Sequence, residues 1–138
     1  MSFNWLEYQE ISDDILASAK TSPFVEACYR AAISRSYYAV FNIAKKFVVR
    51  NYNSKLQSIR THYKTMKKSI GSHEIHIQVF EQSTDRTEKK IGTELKRLKN
   101  MRVQADYEAS PNIQEDDAIL QFVETEDTLK LLKTIGAY

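Results

Sequence analysis

The sequence predicts an all-α protein, an up-and-down bundle of four to five helices forming one domain over residues 1–138. Three observations carry that reading. Three glycines and two prolines in 138 residues are too few turn-formers for a sandwich or barrel of many short strands. Apolar residues recur at steps of three and four in one segment after another. A composition of 42% hydrophobic and 28% charged residues supplies a core, argues against disorder, and at this length suits one domain.

Trp5, Tyr8, Ile11, Ile15 and Ala19 space out a first helix, with Ser2 or Asn4 as its cap. Ser22-Pro23 predicts the start of a second, with serine as cap and proline at the first helical position. Inside it Phe24, Ala27, Cys28 and Ala31 form one stripe, and Ile33, Tyr37, Val40, Ala44, Phe47 and Val48 another. An apolar arc this wide marks the buried central helix of a bundle, which Asn51 to Asn53 end. Residues 54–70 set Leu56, Ile59, Tyr63 and Met66 at helical spacing among lysines and arginines, as either a shorter helix or a partly ordered basic excursion. Gly71-Ser72 is a break, and Ser72 caps a short helix carrying Ile75, Val79 and Phe80.

Gln82 to Thr87 reads as a polar connection. A strong helix follows with Ile91, Leu95, Leu98 and Ala105 on one stripe, closed by Tyr107 to Pro111. Asn112 with Glu115 predicts a capping box, and the acids at 115–117 suit the positive end of a final helix. That helix carries Ile119, Phe122, Val123, Leu129 and Leu132.

Net charge is only +2, yet its distribution is uneven. Residues 1–20 hold four acids and one lysine, residues 21–105 seventeen basic and six acidic side chains, and residues 106–138 eight acids and two lysines. Lys45 to Lys68 contains eight Lys/Arg and no Asp or Glu. Such asymmetry marks a nucleic-acid surface, or else acidic ends that fold back onto a basic middle.

Several classes are excluded. No stretch approaches the ~20 apolar residues of a membrane-spanning helix. The acidic start does not read as a secretory signal, so a cytoplasmic protein is expected. A single cysteine, Cys28, forms no internal disulfide and no Cys-based zinc cluster. Glycines 71, 92 and 136 are isolated, which removes the folds built on Gly-rich phosphate loops. His73 and His76 share a helix face but lack a third ligand, and neither metal nor cofactor is expected.

The residues that can carry chemistry centre on Arg102, which falls in the middle of the core-facing stripe of Ile91, Leu95, Leu98 and Ala105. A guanidinium there must be paired, interfacial or at a cleft. Asp106, four residues on, can reach it along the helix. The pair is either an ion pair closing the end of the bundle or a binding site. Arg35 poses the same choice inside the second helix: Ser34, Tyr37 and Tyr38 are either packing residues or the frame of a pocket against Arg102 and Asp106.

These residues together resemble the HEPN (higher eukaryotes and prokaryotes nucleotide-binding) superfamily. The segments that carry the resemblance are Asn4-Trp5-Leu6-Glu7-Tyr8, Ala32-Ile33-Ser34-Arg35-Ser36-Tyr37-Tyr38-Ala39-Val40-Phe41 and Gly71-Ser72-His73, followed by Leu98-Lys99-Asn100-Met101-Arg102-Val103-Gln104-Ala105-Asp106-Tyr107. They are in order from about residue 3 to residue 135, as in the short prokaryotic branch often encoded beside a small nucleotidyltransferase.

The resemblance implies a HEPN-like helical bundle that dimerises. It also implies a component of a toxin–antitoxin or phage-defence module acting on RNA, in many members as a metal-independent RNase. Arg102 matches the superfamily arginine, but the histidine expected four to six residues later is absent: residues 107–109 are Tyr107, Glu108 and Ala109. On the catalytic reading Arg102 holds the phosphate, Asp106 orients it or acts as base, and Tyr107 is acid or donor. Ser34, Arg35 and Tyr38 line the cleft, and His73 is a candidate for the missing imidazole. The alternatives are a non-catalytic module presenting a nucleotide or substrate to a partner nucleotidyltransferase, and a dimeric interaction protein.

Overall fold

The computed structural model describes residues 2–138, and among them lie six α-helices, one 3-10 turn and no strand. The helices are α1 (Leu6–Ser18), α2 (Val25–Asn51), α3 (Asn53–Thr65), α4 (Ser72–Glu81), α5 (Arg86–Tyr107) and α6 (Glu115–Thr134). The count exceeds the expected four to five because the basic segment is a full helix. Leu56 and Ile59 of α3 are buried, which anchors it to the bundle despite its lysines and arginines.

Start signals are right in kind and displaced in position. The Asn4 side chain accepts from the Leu6 amide, as expected of a first cap. Ser22 accepts from the Phe24 amide, but Phe24 has a non-helical backbone and α2 begins at Val25, two residues beyond Pro23. Asp85 caps α5 by accepting from the Glu88 amide at 2.8 Å. The capping box of α6 is Gln114 with Asp117 rather than Asn112 with Glu115.

Helix α2 is the axis of the molecule, packed by α1, α5 and α6 along its length and by α3 and α4 toward its C-terminal end. Its main cluster includes Tyr37, Val40, Phe47 and Val48, with Ile77 and Phe80 of α4, Ile91, Leu95 and Leu98 of α5, and Leu132 of α6. A smaller cluster near the start of α2 joins Tyr29 and Ile33 to Ala19, Ala105, Ile113 and Ala118. Gly92 lets α5 cross α4 closely, since a β-carbon there would lie 2.7 Å from the Glu81 amide nitrogen.

Two helices depart in part from the expected orientation. α1 buries Gln9 and Ser12 while Ile11 is exposed. α6 buries Ala118, Gln121, Thr125 and Thr128 beside Leu129 and Leu132, and leaves Ile119 and Val123 exposed. Most of these buried polar groups have named partners. Ser12 donates to the Ala32 carbonyl, Ser36 donates to Gln9, Gln9 donates to Glu126, and Gln121 donates to the Leu98 carbonyl. Small or hydrogen-bonded polar groups thus line the α1–α2 and α5–α6 contacts, where a pattern of large apolar residues does not reveal them.

Candidate functional site

α2 and α5 run antiparallel, and their pairing builds the site. Ser34 meets Asp106, and one turn further along α2 the rings of Tyr37 and Tyr38 meet Arg102. Arg102 follows Leu98 of the main cluster by four residues and precedes Ala105 of the smaller one by three, so its side chain enters at the seam between them.

The Arg102 side chain is 6% exposed and poorly paired. Its Nη1 lies 3.6 Å from Asp106 Oδ2, and its Nε is buried with no hydrogen-bond partner. Three rings surround the guanidinium carbon, those of Tyr37 and Tyr38 each at 5.3 Å and that of Tyr107 at 5.7 Å. Aromatic faces stabilise a cation but offer no acceptor in the guanidinium plane. Ser34 donates to Asp106 Oδ2 at 3.2 Å, which occupies part of the one carboxylate that pairs with Arg102 among the described residues. A nearly buried guanidinium with idle donors is a ready seat for an oxyanion.

His73, at the start of α4, completes the cluster against the rings of Tyr37 and Tyr38. Its ring stacks on Phe41 at 4.1 Å, and its Nδ1 lies 2.8 Å from the Tyr37 hydroxyl. Burial, reinforced by the charges of Arg102 and Lys99, lowers the His73 pKa to about 4, so the ring is neutral near pH 7. Burial likewise raises the Tyr37 pKa, against the opposing pull of Arg102. Tyr37 therefore keeps its proton and donates it to an unprotonated Nδ1, a tautomer assigned from this chemistry. Neither group exchanges a proton readily near neutrality.

The fold brings Arg102, Asp106, Tyr107, Ser34, Tyr38 and His73 together. Arg35 goes elsewhere: it is exposed on the α1 side of α2, with its guanidinium 5.0 Å over the Tyr8 ring. One step of about 100° separates it from Ser34 and decides the matter. His76 is buried with its Nδ1 2.5 Å from the Ser72 carbonyl, and among the described residues no three His, Cys, Asp or Glu converge to hold a metal ion.

Sequence reasoning missed Arg30. Its Nη1 donates to the carbonyls of Gln104, Ala105 and Glu108, its Nη2 to that of Pro111, and its Nε bonds Glu26 at 2.8 Å. It gathers the free carbonyls at the α5 C-terminus, where a cation is favoured, and fixes the chain just beyond Tyr107. Glu26 four residues earlier is the one local signal of it.

Compared with known proteins, the chain matches no family model, no curated protein and no solved structure.

Proposed function

We propose that this chain is a HEPN-type component of a prokaryotic toxin–antitoxin or phage-defence module that engages RNA as a dimer, with Arg102 holding a phosphate. The observation that carries the reading is the Arg102 guanidinium: almost fully buried, caged by three tyrosines, and left with a partnerless Nε. An ion pair that merely closed the bundle would use those donors. Asp106 and Ser34 flank the phosphate seat, and Tyr107, 74% exposed, stands at its rim.

Binding is better supported than cleavage. Attack by a 2′-hydroxyl requires a group that moves protons near neutral pH. His73 is held neutral, its Nδ1 is engaged by Tyr37, and Tyr37 is held protonated. Arg102 can stabilise charge on a phosphodiester without either group. A second reading, in which the chain presents a nucleotide to a partner nucleotidyltransferase, draws on the same absence of a proton carrier and on the exposed Tyr107 hydroxyl.

The test uses total cellular RNA in the presence of a chelator, with the wild-type chain and a folded Arg102→Ala variant side by side. The expected outcome is RNA retention by the wild type, reduced at least tenfold by Arg102→Ala. Discrete fragments from the wild type alone would make the protein a metal-independent RNase. Equal retention by both proteins would remove Arg102 as the site.

A further inference from the structure

The basic block of the sequence is not covered by the acidic ends of the chain. All eight cations between Lys45 and Lys68 are exposed, and none is ion-paired among the described residues. Two of the acids of α6 pair with other cations: Glu124 with Arg97 of α5, and Glu115 with Lys20. The bare cations lie on the C-terminal half of α2, which also runs through the Arg102 site, on α3, and at Lys67 and Lys68 just beyond it.

A path connects the two. At about 100° per residue, Ser34, Tyr38, Phe41 and Lys45 share one side of α2, and the first and last are about 16 Å apart along the axis. Phe41 is buried there under the His73 ring, so the surface between Tyr38 and Lys45 is the start of α4. His73 stacks on Phe41, and His76 meets the same ring edge-on at 6.1 Å. Lys45, one turn past Phe41, is near enough that its charge lowers the pKa of both histidines, and Arg60 of α3 acts likewise on His76. Arg60 is also one turn before Tyr63, whose hydroxyl accepts from Gln78 of α4. At the other end Tyr107 offers an exposed ring beside Arg102.

We infer that single-stranded RNA runs from Arg102 past the His73 edge of α4 to Lys45 and Arg60, with one unpaired base stacked on Tyr107. A line of cations with an aromatic platform at one end fits a flexible polyanion with free base faces. This rests on the RNA-binding reading above and adds the direction of the strand and the residues that track it.

The experiment measures anisotropy of a labelled oligouridine across a salt series, using the full chain. Lys45→Gln/Arg60→Gln removes two phosphate contacts. It should weaken binding roughly tenfold at low salt and flatten the log–log salt slope by about 1.4, at about 0.7 per single-strand contact. Tyr107→Ala should weaken binding roughly tenfold with little change in slope, and Tyr107→Phe should restore it. Lys130→Gln/Lys133→Gln on α6 serves as the matched control. Unchanged affinity and slope in the Lys45/Arg60 variant, with binding still lost in Arg102→Ala, would overturn the path and leave the Arg102 site standing. Duplex RNA or polyglutamate binding as tightly as oligouridine would overturn the single-strand assignment. No binding by the wild type would overturn both readings.

Discussion

Arg102 and His73 both contact the rings of Tyr37 and Tyr38, and the Arg102 charge bears on the ionisation of His73. A protonated His73 would sit in a half-buried site facing Arg102, Lys99 and Lys45, so the folded state resists its protonation. The unfolded chain does not, because there the imidazole titrates near 6.5. Between about pH 6.5 and about 4 the unfolded state therefore binds the extra proton. The stabilisation is fully present above that window and is lost as pH falls through it. The shift amounts to about 1–2 kcal/mol after allowance for solvent screening of a partly exposed ring. In urea melts at a series of pH values, His73→Gln should show a shallower fall in stability across the window than the wild type; parallel curves would show that His73 is not the titrating group. Arg102 was legible in the sequence because a charge at the centre of an apolar stripe has only a few physical explanations. A core tyrosine whose hydroxyl reaches a polar group was also legible at Tyr37, but its partner was not, because nothing local says which helix supplies it.

At the scale of the element, the helices declare themselves by periodicity and their rotations do not. α5 and the second stripe of α2 (Ile33, Tyr37, Val40, Ala44, Phe47 and Val48) are buried by large apolar residues, so the pattern gives their inward face, whereas of the first stripe of α2 Phe24, Ala27 and Ala31 face outward instead. α1 and α6 are buried in part through Gln9, Ser12, Gln121, Thr125 and Thr128, so a reading that sends apolar residues inward places Trp5, Leu129 and Leu132 correctly but turns Ile11, Ile119 and Val123 the wrong way. Side-chain hydrogen bonds to distant backbone, such as Gln121 to Leu98, have no local signature. Arg30 is the same kind of feature with more at stake, because it joins the N-terminal part of α2 to the α5 C-terminus and residues 108–111. Arg30→Met should cost about 2 kcal/mol, the range for charge-assisted bonds to carbonyls that regain water on release. Amide exchange should rise at Glu108 and Ile113 while the main cluster stays protected. Unchanged exchange there would show that the α5 end holds without the clamp, and Tyr107 would then owe its place to the Arg102 contact alone.

At the scale of the whole molecule, the exposed face of α2 divides into an apolar half and a charged half with Arg102 between them. Ala27 and Ala31 are exposed near the start of α2, and Phe24 just before it is 70% exposed. Small side chains flanked by an exposed phenylalanine let a second helix approach closely, and large exposed apolar groups mark association surfaces. The proposed dimer is expected to pair on this half, because a two-fold axis near Ala31 sets the two Arg102 sites side by side and leaves the Lys45 ends free for RNA. Ala31→Arg places a charge on that surface without touching the core. It should yield a folded monomer by sedimentation velocity at micromolar concentration, with RNA binding weakened more than the loss of one contact would produce. A wild-type monomer under those conditions would end the dimer expectation. A dimer that survives Ala31→Arg would move the interface elsewhere, to the exposed Ile119, Leu120 and Val123 of α6. The two Arg102 sites would then act independently, and RNA affinity would not depend on protein association.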